Sequence, residues 1–214
     1  MPSLNQAIAV PVLALMMTLI GCTEPQPAST LPTVSSPSLA LSPLTLRYGT
    51  VLPAPRPLAA FVLTDQHGTA FANANFVGQW TVIFSGFTSC PDICPLTLAL
   101  LKSAEEQMRG QRHHQVVFIT VDPERDTAAS LKQFINWFEP RWTGLTGANK
   151  ELSSLLASLG MAQVKLPALE GENYSIEHST ALVLLDPQGR MAGYWKAPLD
   201  PAELAADFSA LPAP

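Results

Sequence analysis

Two cysteines four residues apart, Cys90 and Cys94, are the residues in this chain whose spacing most directly suggests chemistry. They stand in Cys90-Pro91-Asp92-Ile93-Cys94-Pro95, between the β-branched and aromatic run Trp80–Phe87 and a stretch of helical periodicity from Leu96 to Met108. The run reads as a buried central strand. Pro95 suits the first turn of a helix, where its missing N–H leaves no bond unmade. Cys94 therefore lies at or near a helix start, and residues four apart on a helix have Cβ atoms ~5–6 Å apart. The partial positive charge at a helix N-terminus favours thiolate over thiol. A thiolate pair can exchange disulfides or bind a soft metal. Dedicated thiol–disulfide exchangers use C-x-x-C; the C-x-x-x-C here moves away from that pattern without forbidding a disulfide. Thiolates select Cu(I) and zinc, but structural zinc takes four ligands, and this domain offers two cysteines.

The chain also has four histidines, each of which could add an imidazole. His67, His113 and His114 read as solvated loop residues. His178 differs: Glu177-His178-Ser179-Thr180 reads as the loop entering a strand that begins at Ala181. In a thioredoxin-like fold that loop faces the cysteine loop. Oxidoreductases of that fold place a cis-proline there, and none occurs between Pro167 and Pro187. Two sulfurs and one imidazole would suit three-coordinate Cu(I), although spacing alone leaves His178 as ligand or bystander. Asp92 could accept a hydrogen bond beside the site, contact a partner, or simply be an acid at a helix start. Asp122, before Pro123 at a strand end, reads as structural.

The positioning elements follow from pattern. LAAFVL (58–63) and TAFA (69–72) flank Asp65-Gln66-His67-Gly68 and read as a β-hairpin. Leu44 to Val51 reads as an early strand or a segment draped over the domain. Val116–Val121 is a second buried strand, and Thr127 is expected to cap a helix running to Phe138. Another helix spans Asn149–Leu159 and closes at Gly160. Ala181–Leu185 and Met191–Trp195 flank Asp186-Pro187-Gln188-Gly189 as a second hairpin. Asp200-Pro201 opens a last helix, with Asp at the cap and Pro in the first position. Two buried strands joined through a helix form a parallel pair. The order predicts an α/β, thioredoxin-like fold: a mixed central sheet flanked by helices. Trp80, Trp137, Trp142 and Trp195 read as core or surface anchors.

The chain has 214 residues, 47% of them apolar, and a net charge of −5. That balance argues against a nucleic-acid partner, which would call for a basic patch. The third cysteine, Cys22, ends the sequence Leu19-Ile20-Gly21-Cys22, which follows the apolar run Ala7–Ile20. That run has the length of a signal-peptide core and is short for a bilayer span, which needs ~20 residues. The junction resembles a bacterial lipobox, although no Lys or Arg precedes the run. Residues 1–21 are thus expected to be a lipoprotein signal peptide with Cys22 lipidated, the alternative being an uncleaved membrane anchor; either way the body is held at the extracytoplasmic, periplasmic face of a bacterial membrane. Two acyl chains make such an anchor stable, where one alone is marginal. Residues 22–57, rich in Pro and Ser, read as a linker, and 58–214 as the folded domain.

Phe87-Thr88-Ser89-Cys90-Pro91-Asp92-Ile93-Cys94-Pro95 resembles the metal loop of the Sco/SenC family. Val121-Asp122-Pro123-Glu124-Arg125-Asp126-Thr127, Gly144-Leu145-Thr146-Gly147 and Tyr174-Ser175-Ile176-Glu177-His178-Ser179 resemble its later blocks, in order. The family more often has Asp-His-Ser where this chain has Glu177-His178-Ser179. The resemblance implies copper, Cu(I) or Cu(II), bound by Cys90, Cys94 and His178. It also implies a metallochaperone role in building the copper centre of cytochrome c oxidase, with subunit II as partner and other periplasmic copper chaperones or thiol reductants as further contacts. Some relatives look more like thiol–disulfide reductases that keep the oxidase's copper-ligand cysteines reduced, with Cys90 and Cys94 as the redox-active pair. Either task fits the same residues, so an enzyme-like activity stays open. A Cys90–Cys94 disulfide, favoured outside the cytoplasm, would remove both sulfur ligands. A peroxidase of peroxiredoxin type fits poorly: Thr88 is two residues before Cys90 rather than three, and Ser85-Gly86-Phe87 lacks a proline.

Overall fold

The computed structural model describes residues 44–108, 113–167 and 174–214. The expected signal peptide, Cys22 and most of the expected linker lie outside the described residues. The elements are β1 (Thr50–Arg56), β2 (Val62–Asp65), β3 (Ala70–Ala72), a 3-10 turn (Asn73–Phe76), β4 (Trp80–Gly86), α1 (Ile93–Gln107), β5 (His114–Thr120), α2 (Ala128–Phe138), β6 (Thr143–Thr146), α3 (Asn149–Ser158), β7 (Gln163–Leu166), β8 (Ser175–His178), β9 (Leu182–Leu185), β10 (Met191–Trp195) and α4 (Pro201–Ser209).

Eight strands form one sheet in the order β1-β10-β9-β4-β5-β6-β2-β3, while β7 and β8 pair in a separate two-stranded ribbon. The expected parallel pair is β4 with β5, in register from Trp80↔His114 to Gly86↔Thr120. β6 continues the parallel block beside β5, and β9 runs antiparallel on the other flank of β4. The sheet is mixed, as the pattern predicted. Its central strands are apolar on both faces, as strands covered on both sides must be. Val82, Phe84, Val116, Phe118, Leu182 and Leu184 pack with α1, α2 and α4 on one face. Ile83, Val117, Ile119, Val183 and Leu185 pack with α3 and the β2–β3 region on the other. Alternation with period two thus assigns each strand residue to a layer.

The caps follow the local sequence. Thr127 accepts a hydrogen bond from Ser130 N, and Asp200 accepts from Ala202 N and Glu203 N. The helix at the cysteine motif begins at Ile93, between the two cysteines and three residues before its apolar periodicity begins.

Three departures stand out. β1 lies within the stretch assigned to the linker and pairs antiparallel with β10, so the folded domain begins before residue 58. β6, β7 and β8 are additional strands of four residues each, too short to show a period of their own. His114 is buried at the start of β5, not solvated; its Nε2 lies 3.0 Å from Glu105 Oε1 and its ring 4.7 Å from that of Phe208. The carboxylate of Glu105 also accepts from Trp142 Nε1 at 2.9 Å, so this polar pair is held inside the core. Of the tryptophans, Trp80, Trp142 and Trp195 are buried and Trp137 is 83% exposed.

The segment ahead of β1 is held by a buried carboxylate. Asp207 of α4 accepts from the backbone N–H groups of Arg47 (2.6 Å), Tyr48 (3.1 Å) and Gly49 (2.8 Å), and from Trp195 Nε1 (2.8 Å). A Cβ at position 49 would meet Trp195 Nε1 at 2.6 Å, so glycine is needed there. Removing this acceptor leaves the buried Trp195 indole N–H unsatisfied, at ~1–3 kcal/mol for such a group, and frees the partly buried amides of residues 47–49. Asp207→Ala is expected to lower the unfolding free energy by roughly 3 kcal/mol and to expose the amides of residues 47–49 to exchange. Urea titration and hydrogen exchange measure both, and unchanged protection at Gly49 would contradict the clamp.

Candidate metal centre

The site lies at the C-terminal edge of β4, where the strand gives way to the cysteine loop. Gly86 ends the strand, and Cys90 N donates to Phe87 O at 3.1 Å, turning the chain toward α1. Asp92 occupies the N-cap position, yet its side chain makes no capping bond and is exposed. Cys94 follows in the first turn, buried against the sheet, while Cys90 is only partly covered. The sulfur of Cys94 lies directly over Gly86. A Cβ at position 86 would come within 2.7 Å of Cys94 Sγ and 3.0 Å of the Phe118 ring. An isolated glycine inside a strand pattern signals such a close approach; it is the residue that the motif reading passed over.

His178 arrives from the separate ribbon. It is the last residue of β8, paired with Gln163 of β7, and not part of the loop before β9. Its Nε2 is 3.4 Å from Cys94 Sγ, and its Nδ1 is 2.9 Å from the carbonyl oxygen of Ser179. A carbonyl can only accept, so Nδ1 carries the proton and the Nε2 lone pair faces the cysteines. This is the arrangement by which a metal-binding imidazole is commonly oriented. The ring is flanked by Phe87 at 5.9 Å and 84° and by Phe84 at 6.2 Å and 70°, both edge-to-face. The donor atoms of Cys90, Cys94 and His178 all lie within 4.8 Å of one another. Among the described residues this is the one cluster of three such side chains that close together. It opens into a groove of about 460 Å³ whose walls include Asp92, Ile93, Ile176 and Glu177. Asp92 therefore stands on the rim.

The electrostatics differ from the expectation of a thiolate at a helix start. Burial, and next the hydrogen bond with Cys90, push the Cys94 thiol well above the ordinary cysteine range. Desolvation outweighs the partial charge of the helix end because Cys94 points into the core instead of toward water. Burial also lowers the His178 pKa, with the Ser179 carbonyl opposing it. At neutral pH the metal-free site thus holds a protonated Cys94 and a neutral imidazole. Metal binding must displace the thiol proton, which makes affinity rise with pH. The other expected residues divide cleanly. His67 and His113 are exposed. Asp122 is buried and accepts from Tyr174 Oη at 2.6 Å, in keeping with a structural role. Cys22 lies outside the described residues.

Two outcomes follow. Gly86→Ala should lower the unfolding free energy by ~1–3 kcal/mol, as overpacking does, and shift the imidazole resonances of His178; unchanged stability and shifts would contradict the close approach. In the metal-free protein the NMR titration of His178 should have its midpoint below the ordinary value of ~6.5. The unfolded chain then takes up this proton at a higher pH than the folded one. Stability contributed at this site falls as pH drops below about 6.5, until folded His178 is also protonated. A midpoint above that value would contradict the desolvated ring.

Residues 52–212 match the family described as SCO1/SenC. The mitochondrial SCO2 homologue of Homo sapiens is 39% identical over 138 residues, covering 63% of this chain and 52% of that one, so the match spans about half the human protein's length. Among solved structures, copper-bound ScoI of Bradyrhizobium japonicum is 34% identical with a TM-score of 0.65, covering 71% of this chain and 97% of that one. Copper-bound ScoI of Arabidopsis thaliana is 31% identical with a TM-score of 0.66, covering 71% and 94%. The family match spans most of the chain and the fold is shared with these solved structures, so the chain belongs to the SCO1/SenC family.

Proposed function

We propose that this protein is a copper metallochaperone that helps to assemble the copper centre of cytochrome c oxidase, with subunit II as the receiving partner. The observation that carries the reading is the meeting of two sulfurs and one imidazole nitrogen within 4.8 Å at the head of an open groove. Soft thiolates suit Cu(I), and the imidazole extends the set to Cu(II). Cys94 and His178 supply the sheltered donors; Cys90, partly exposed, is the donor a partner's ligand reaches first. Exchange of ligands one at a time lets copper pass without being released to water. Asp92 and Glu177 line the groove, where an acidic rim would orient an incoming partner. The lipobox-like junction supports an anchor at Cys22 and a place at the extracytoplasmic face of the membrane. Other periplasmic copper chaperones or thiol reductants would then load or reduce the site.

The unequal exposure of the two cysteines supports a second reading, a thiol–disulfide reductase. The thiolate of Cys90 would attack a partner disulfide and release one partner thiol. Cys94 would then displace the second, its thiol proton passing to the departing partner sulfur, leaving Cys90–Cys94 oxidised and the partner dithiol reduced by two electrons. Cys94, buried, would be the resolving residue.

Copper added anaerobically to the reduced domain should bind one-to-one, with two sulfurs and one nitrogen by X-ray absorption. Cys90→Ser or Cys94→Ser should weaken binding by more than the ~10–100-fold typical of losing a residue behind a ligand. His178→Ala should weaken Cu(II) more than Cu(I). In cells, His178→Ala should abolish oxidase activity while leaving disulfide exchange in the purified protein largely intact. Normal oxidase in that strain, with loss in the cysteine variants, would establish the reductase reading instead.

A further inference from the structure

The loop Asp122–Asp126, which follows β5, supplies no ligand but touches both halves of the site. Asp126 is wholly buried. Its carboxylate accepts from Thr88 N at 3.0 Å, Thr88 Oγ1 at 2.5 Å and Thr120 Oγ1 at 2.6 Å. Its carbonyl accepts from Thr146 Oγ1 of β6 at 2.9 Å. Thr88 opens the cysteine loop, and Thr120 ends β5. One buried anion therefore ties the stem of the cysteine loop to the parallel strands, through bonds that charge makes short and strong.

Arg125, the preceding residue, reaches the other way. Its Nε donates to Asp122, and its Nη1 donates to the carbonyl of Tyr174 at 3.4 Å. The guanidinium lies 4.0 Å from the Tyr174 ring centroid and 5.6 Å from that of Phe87. Tyr174 immediately precedes β8, which ends in His178, and Phe87 is the ring edge-on to that imidazole. Among the described residues the ribbon β7–β8 has no strand pairing with the main sheet, so its placement depends on contacts of this kind. The loop itself is closed by Asp126 N donating to Asp122 O at 2.8 Å.

We propose that Asp122–Asp126 is a two-armed positioning element: Asp126 sets the cysteine loop and Arg125 sets the ribbon carrying His178, so that this loop fixes the distance between the sulfur pair and the imidazole. The proposal rests on the three-donor site, and its meaning for copper rests on the metallochaperone reading. A planar fork that stacks on an aromatic ring is not replaced by lysine, which makes Arg125→Lys a test of geometry at constant charge. Asp126→Asn removes the buried charge at nearly constant size.

Metal-free protein tests the loop independently of copper. In Asp126→Asn the Thr88 amide should exchange at least ~10-fold faster, as for one lost hydrogen bond, with the His178 ring resonances near their wild-type positions. In Arg125→Lys the His178 resonances should move and Thr88 should stay protected. Loaded with Cu(II), Asp126→Asn should shift the sulfur-to-copper charge-transfer band, and Arg125→Lys should weaken the nitrogen hyperfine coupling. A residue that merely stabilises the fold would lower the melting temperature and leave these signatures unchanged in the folded protein. If Asp126→Asn does not fold, Thr88→Val, which removes the hydroxyl donor and keeps the side-chain volume, must show the faster exchange at residue 88. Wild-type exchange and ring shifts in either arm's folded variant, or both variants disturbing both sites alike, would overturn the assignment. Wild-type protein that fails to bind copper through sulfur and nitrogen would instead overturn the metallochaperone reading, leaving the exchange result to decide the loop.

Discussion

The arrangement depends on a steric allowance at one backbone position: the sulfur of Cys94 occupies the space where residue 86 would carry a Cβ. With glycine there, the first turn of α1 packs down on the end of β4, and the sulfur is buried within 3.4 Å of His178 Nε2. That burial governs the electrostatics. A thiolate at this depth would be a poorly solvated charge, so the thiol stays protonated and the imidazole stays neutral. A metal cation supplies the positive charge that makes deprotonation of the sulfur favourable. Cys94 and His178 thus rest uncharged and close-packed, and the pair becomes ionic when the site is filled.

Around that point the structure divides into a stiff part and an attached part. β4 and β5 are paired along their whole length and covered on both faces, so the strand ends that carry the cysteine loop are well determined. His178 comes from a two-stranded ribbon outside the main sheet. It is held by the carbonyl of Ser179, two aromatic edges and the contacts of Tyr174 with Arg125 and Asp122. A metal centre built across these two parts can keep its sulfurs fixed while its imidazole answers to the packing of a neighbouring loop.

The two cysteines are chemically alike and structurally unequal. One lies inside the core and the other faces the groove. For metal transfer, this inequality orders the exchange of ligands; for disulfide exchange, it separates the attacking sulfur from the resolving one. The same geometry therefore serves both readings, and His178, which exchange chemistry does not need, is the residue that distinguishes them.

Much of this was legible along the chain because it is local. The parallel pair, the second hairpin and the helix caps at Thr127 and Asp200 follow from runs, turns and capping residues within a few positions of each other. Cys90 and Cys94 are marked by their spacing, and His178 by the resemblance of its block. The four-residue strands β6, β7 and β8 were not legible: too short to show a period, they are recognisable only from the partners they pair with. Burial of His114 beside Glu105 was likewise invisible, since its partner lies on a different element. The state of Cys94 is the clearest division. The sequence determined that a thiol would stand at the start of a helix; only the tertiary structure decided that it would face the core, where desolvation outweighs the helix dipole.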